Sequence, residues 1–158
     1  MDKLIVGSYN VAVDAQGRLI VPSGWHPDLG EGVVVVRDLS PSGEHFLTAL
    51  TAQAFEGLIN DFAHNPNTST RYRDASRSIL QYACNCKFDQ KRRISVDSEN
   101  LKYAGISANA VLTANIRSNN PVFEIWEPEA LERNNKAYDE WQIQEALDRN
   151  AEEVRSLQ

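Results

Sequence analysis

Asp14-Ala15-Gln16-Gly17-Arg18-Leu19-Ile20-Val21-Pro22 decides how the fold is read, because it returns as Asp89-Gln90-Lys91-Arg92-Arg93-Ile94-Ser95-Val96-Asp97. The offset is a constant 75 residues, from 14 to 89 and from 18 to 93. Each copy reads as a strand entering a tight turn at the Asp, then an Arg opening an apolar strand, so each is expected to form a hairpin. Aspartate suits the entry because its carboxylate accepts a hydrogen bond from the backbone N–H two residues on. Gly17 suits a position with positive φ, which penalises a residue carrying a Cβ. The Arg four residues after the Asp emerges just past the turn, within reach of the carboxylate. The pattern predicts two guanidinium groups, Arg18 and Arg93, braced by Asp14 and Asp89 on rigid turns.

The copies are not equal. Lys91 stands at the position of Gln16, Arg92 at that of Gly17, and Asp97 at that of Pro22. A left-handed backbone at Arg92 costs about 1–2 kcal/mol. Either the second turn has a different shape, or the strain is tolerated for the added charge. Lys91-Arg92-Arg93 makes the second loop the more phosphate-seeking. The first loop, with Gln16 and Arg18, is expected to carry more of any base reading. Arginine suits both tasks, since its planar fork bridges phosphate oxygens or pairs with guanine O6 and N7.

Around these loops the chain of 158 residues has room for two small domains or one duplicated one. Net charge is −6, but its distribution is uneven. Residues 1–70 carry −5, residues 71–93 carry +5, residues 94–123 balance, and residues 124–158 carry −6. The locally basic middle matters more for steering an anion than the total does. No apolar run reaches the length of a membrane span. The start, Met1-Asp2-Lys3-Leu4-Ile5-Val6-Gly7, is too short and too acidic for a secretory signal, so a cytoplasmic location is expected. Cys84 and Cys86 are expected as reduced thiols in or near the core, on alternate faces of a strand. Two cysteines and three scattered histidines offer no metal-ligand spacing, and no cofactor is expected.

In order, Tyr9–Val13 alternates as a half-buried strand. Pro22–Pro27 allows only a short helix or turn, with Pro27 blocking a longer one. Val33–Val36 reads as a buried strand, Pro41-Ser42-Gly43 as a turn, and His45–Leu50 as a returning strand. Phe55, Leu58, Ile59 and Phe62 mark one helix face, with Thr51 as its N-cap. Asn65–Thr70 reads as a mobile loop. A second helix to about Gln81 turns Tyr72, Ala75 and Ile79 inward and Arg73 and Arg77 outward, the latter two as a solvated face or a supplementary phosphate contact. Strands at Ala83–Phe88, Arg93–Val96, Ala110–Ile116 and Val122–Trp126 follow, with a short helix at Ser98–Ala104. Pro128 opens a final helix to about Val154. Its Leu131, Tyr138 and Trp141 are expected to pack on its own domain. Leu147, Ala151 and Val154 lie beyond what a small β domain needs to cover, and frame a neighbouring protomer or fray.

The paired D-x-x-x-R segments resemble those of the MraZ family, bacterial DNA-binding regulators built from two AbrB-like halves. Gly7-x-Tyr9, Leu19-Ile20-Val21-Pro22 and Ala104-Gly105-Ile106 agree with it, and Phe123-Glu124-Ile125-Trp126 resembles the closing strand of the second half. The resemblance runs from about Gly7 into the C-terminal helix. It implies an α+β fold: a pseudo-duplicated AbrB-like swapped-hairpin β-barrel with interleaved helices and a C-terminal helix. The corresponding division is 7–56 and 83–130 for the two halves, 57–82 for a helical connector, and 131–158 for the helix and acidic tail. One such half is too small to bury much apolar surface alone. In the superfamily two halves, usually from two chains, interleave, so Arg18 and Arg93 are expected on one face.

The resemblance further implies a sequence-specific, nucleoid-associated regulator that contacts double-stranded DNA at promoter direct repeats, usually upstream of the division and cell-wall gene cluster. The expected contacts are Arg18, Arg93, Arg92, Lys91 and Gln16, with Asp14, Asp89 and Gly17 shaping the loops. Four basic residues neutralise only roughly three phosphates, which gives weak single-site binding. Useful affinity then needs several protomers, in agreement with the ring-like homo-oligomers the resemblance implies. Catalysis is not expected. Asp14 and Asp89 lack the small hydroxyl residue and Gly that follow each Asp of an aspartic protease, and an adjacent Arg keeps both ionised. No small-molecule substrate and no membrane are expected. The rival reading is an AbrB-like protein-interaction or antitoxin-type module without operator binding.

Overall fold

The valines at 33–36 form a strand that is buried on both faces, and the layers of the molecule follow from that. A computed structural model describes residues 5–63, 70–117 and 119–157. The strands are β1 (Ser8–Ala12), β2 (Arg18–Ile20), β3 (Gly32–Leu39), β4 (His45–Leu50), β5 (Cys84–Lys87), β6 (Arg93–Ser95), β7 (Asn109–Arg117) and β8 (Asn120–Trp126). The helices are α1 (His26–Leu29), α2 (Ala52–Ala63), α3 (Thr70–Gln81), α4 (Ser98–Tyr103) and α5 (Pro128–Ser156). Six strands make one antiparallel sheet in the order β1-β7-β8-β4-β3-β5, and β2 and β6 make a separate two-stranded ribbon. Exchanging the two halves maps β1 on β5, β7 on β3 and β8 on β4, which leaves this order unchanged.

Alternation along the strands sorts the side chains into two cores. Val33, Val35, Leu47, Leu112, Phe123 and Ile125 point to the ribbon side, where they meet Leu19 and Ile94. Val36, Leu50 and Val122 point the other way, under α2 and α3 with Phe55, Leu58 and Ile79. Phe46 and Trp126, stacked at 4.2 Å, continue that second face beneath the start of α5. The chain is thus α+β in three layers: ribbon with short helices, sheet, long helices.

Most elements fall where the sequence places them. Thr51 Oγ1 caps α2 by accepting from Ala54 N at 3.0 Å. The Glu127 carboxylate accepts from Glu129 N and Ala130 N, and Pro128 opens α5. Arg37 ties the halves together. It lies over the Tyr82 ring, 3.7 Å from its centroid, and donates to Asn100 Oδ1 at 2.7 Å.

Several expectations are corrected. The two D-x-x-x-R segments are not hairpins whose arms pair. Asp14 N donates to Arg18 O and Gly17 N to Asp14 O, closing the turn. Beyond it β1 pairs with β7 and β2 with β6. A lone two-stranded hairpin is marginal, whereas pairing across the halves buries Leu19 and Ile94 almost completely. No barrel closes by hydrogen bonding among the described strands: β1 and β5 are open edges of the sheet. The segment after Pro22 does form only short helical turns, as expected, but Pro27 sits in the first turn of α1, where a missing N–H costs nothing, and Gly30 at φ 66° follows the helix.

Cys84 and Cys86 share one side of β5, as residues two apart on a strand must, with their sulfurs 3.9 Å apart. Trp141 does not pack on the domain and is exposed. Asn65–Ser69 and the side chains of Tyr72, Arg73 and Ala75 lie outside the described residues.

Candidate nucleic-acid interface

Each turn is built by its own aspartate. Asp14 Oδ1 accepts from the backbone N–H of Gln16 and of Arg18, both at 2.9 Å, and Oδ2 accepts from Arg18 Nε at 2.7 Å. In the second turn Asp89 Oδ1 accepts from Lys91 N at 2.8 Å and Arg93 N at 2.9 Å, and Oδ2 from Arg93 Nε at 2.8 Å. The backbone N–H of the arginine, more than its guanidinium, holds each carboxyl below the usual aspartate range. Both stay ionised at neutral pH, as a brace must and a shared-proton dyad must not.

Pairing of β2 with β6 then sets where the arginines face. Arg18 lies opposite Ser95, Leu19 opposite Ile94, and Ile20 opposite Arg93. Residues directly opposite share a face, and so do residues two apart on one strand. Arg18, Ile20, Arg93 and Ser95 therefore occupy one face of the ribbon, while Leu19 and Ile94 occupy the other, in the core. The outer face reaches solvent: Ile20 is 57% exposed. The middle pair, Leu19 and Ile94, marks a pseudo-twofold axis that exchanges Arg18 with Arg93. The two turns lie at opposite ends of the ribbon. α2, α3 and the start of α5 cover the far face of the sheet.

The left-handed conformation survives in both turns. Gly17 has φ 76° and Arg92 has φ 62°, so the second turn keeps the shape and tolerates the strain. Gly17 O accepts from Val96 N at 2.9 Å, and the equivalent bond, Val21 N to Arg92 O, spans 3.2 Å. A Cβ at Gly17 would lie 2.3 Å from Val96 O. The slightly wider second approach accompanies the Cβ that Arg92 carries.

The remaining predicted residues separate by role. Gln16 Oε1 accepts from Arg18 Nη2 at 2.5 Å, so in the free protein Gln16 holds the arginine. Lys91, at the equivalent position, cannot accept. Lys91 and Arg92 are exposed on the second turn. Arg77 is exposed, pairs with Asp74 at 3.5 Å, and belongs to the helical side of the sheet. Ile20 and Ser95 were not singled out from the sequence. Period-two alternation from Arg18 marks Ile20 as its neighbour on a strand face, but only the register adds Ser95. An open cavity of about 800 Å³ adjoins the first turn, lined by Gln16, Gly17, Cys84, Asp97, Ser98 and Lys102. Burial, with Cys84 beside it, pushes the Cys86 thiol up to about 12, so it stays protonated. Among the described residues no group of three or more His, Cys, Asp or Glu converges as metal ligands would, and no helix is long and apolar enough to cross a membrane.

A protein of Leuconostoc citreum named transcriptional regulator MraZ is 30% identical over 126 residues, covering 80% of this chain and 82% of its own length. The chain belongs to the MraZ family. Relatives of the same name occur in Limosilactobacillus fermentum, 26% identical over 126 residues with the same coverage, and in Dehalococcoides mccartyi, 26% identical over 150 residues. The latter match spans 93% of this chain and all of the relative. No protein-family model matches the chain. The MraZ relatives are named regulators rather than enzymes, in keeping with the sequence reading of Asp14 and Asp89.

Proposed function

We propose that this chain is a sequence-specific DNA-binding transcriptional regulator that engages double-stranded DNA through the solvent face of the β2–β6 ribbon. One observation carries the reading: two arginines related by a pseudo-twofold axis stand on that face, each held at Nε by an ionised aspartate. Such a brace leaves the terminal amino groups of Arg93 for an external acceptor and removes rotamer freedom before binding, which lowers the cost of association. Arg18 and Arg93 are the central contacts. Lys91 and Arg92 add phosphate affinity at the second loop. Gln16 aligns Arg18 for base edges in the major groove. Ile20, apolar and exposed between the arginines, suits a thymine methyl group.

Few cations per subunit require several subunits on successive sites. The family resemblance supports a ring-like homo-oligomer on promoter direct repeats upstream of the division and cell-wall gene cluster, acting in the cytoplasm at the nucleoid. Pairing of strands across the halves supports a swapped-hairpin origin for the fold.

Binding to the chain's own upstream DNA, followed by fluorescence anisotropy, tests the reading. With roughly three phosphates neutralised per subunit, affinity should fall about 40-fold per subunit engaged between 50 and 200 mM salt. Arg18→Ala and Arg93→Ala should each weaken binding by about tenfold or more, with circular dichroism unchanged. Salt-independent binding that neither substitution alters would overturn the proposal in favour of the protein-interaction or antitoxin-type module.

A further inference from the structure

The C-terminal helix changes its apolar face part-way along. Near its start Ala130 is buried and Leu131, Asn134 and Tyr138 are half-buried against the domain. Asn134 Oδ1 there accepts from Ser42 Oγ at 2.8 Å. From Ile143 onward the large apolar residues are Ile143, Leu147 and Val154 on the helix and Leu157 at its C-cap, and each is more than half exposed. With Asn150 they recur at intervals of four, three, four and three residues, the spacing of a coiled-coil seam. At about 100° per residue this seam is centred roughly 160° around the helix from the face that meets the domain. The body of the same chain therefore cannot cover it by extending its existing contact.

We propose that a second copy of this chain covers it, the two helices packing seam to seam with Asn150 facing Asn150. Three features select a copy over an unrelated partner. In a parallel, in-register pair Asn150, seven residues from both Ile143 and Leu157, meets its own equivalent at the centre of the seam. A buried amide at such a position is satisfied by a second amide, which donates and accepts in turn, and it fixes register. The flanks are almost free of charge: Gln144, Ala146, Ala151 and Glu153 border the seam. The small residues permit close approach of an identical helix without like-charge repulsion. The remaining charges, among them Glu145 paired with Arg149 at 3.5 Å, lie off the seam.

Two heptads are fewer than the three to four that mark a self-standing coiled coil. The seam therefore acts where other contacts already hold copies together and raise the effective concentration. It does not depend on the DNA-binding reading, but it does rest on the self-association proposed above.

Cross-linking of the full chain tests it. Asn150→Cys should yield a covalent dimer on mild catalysed air oxidation, about fivefold or more above both Asp148→Cys and the unaltered chain. Adding Leu147→Glu and Val154→Glu to Asn150→Cys should return the yield to that background, with thermal unfolding of the body unchanged. Equal yields at positions 148 and 150, or a yield indifferent to the two glutamates, would overturn the seam. Solution mass and DNA binding of the unaltered chain are read separately, so failure of the regulator reading leaves the cross-link result standing.

Discussion

The first turn, 14–18, and the second, 89–93, make the same three bonds to their aspartates, yet differ at all three residues between. The Asp and the Arg alone are enough to specify the brace, and the residues between them are free to diverge. The first turn spends its middle on geometry. Gly17 meets the left-handed conformation without cost, and Gln16 steadies Arg18. The second spends its middle on charge, accepting a strained Arg92 at φ 62° and placing Lys91 where Gln16 would be. The exits diverge too. Pro22 leads into a 3-10 turn with no side-chain cap, whereas Asp97 caps α4 by accepting from Asn100 N. Asp97 Oδ1 also accepts from Asn100 Nδ2, which joins the second turn's exit to the Arg37 network. The two copies share one frame, which is regular in the first turn and basic in the second.

The largest expected effect tests whether the frames are energetically equal. Leu19→Ala and Ile94→Ala each remove a fully buried side chain from the axis of the ribbon and should destabilise the chain by about 2–5 kcal/mol. Urea unfolding should give values within about 1 kcal/mol of each other. A tolerated change at one site would show that the halves are not equivalent supports.

The next test sharpens the contrast between the turns. Gly17→Ala adds a Cβ against Val96 O at positive φ and should cost roughly 2–3 kcal/mol. Arg92→Gly should stabilise by up to about 1 kcal/mol after the larger unfolded-state entropy of glycine is subtracted, and should lower the salt slope of DNA binding by about one. Gain of stability without any change in salt slope would deny Arg92 a phosphate.

The smallest effect concerns His26, beside the second turn, where its ring lies 4.4 Å from that of Phe88. Burial, with the Arg92 charge nearby, holds His26 below its usual 6.5 despite the contact to Val21 O. The folded state then binds fewer protons than the unfolded one in the window below pH 6.5. Stability present above that pH is lost as pH falls through the window. Thermal unfolding between pH 7.5 and 5.5 should show a modest decline that His26→Gln flattens. An unchanged slope in that variant would remove His26 from the account.

Much of this was legible along the chain. Turn chemistry is local, so five residues sufficed to place each Asp and Arg, and the cap at Thr51 and the helix start at Pro128 read directly. An unbroken run of four valines identified Val33–Val36 as a buried strand. The hairpin expectation failed because local geometry at a turn does not say with which strand its arms pair. Cys84 and Cys86, two apart on β5, face the same side because strand side chains repeat every second residue. Trp141 was expected inward because one helical period was extended past the point where the domain ends.

By itself the sequence determined the two braced turns and their 75-residue repetition, because backbone propensity and side chain-to-backbone bonds act within a few residues, whereas the left-handed backbone at Arg92 was settled only by the structure. Only the tertiary structure decided that β2 pairs with β6, and hence that Arg18, Ile20, Ser95 and Arg93 share a face. That choice depends on burying Leu19 against Ile94 across the two halves, a gain that no local stretch contains.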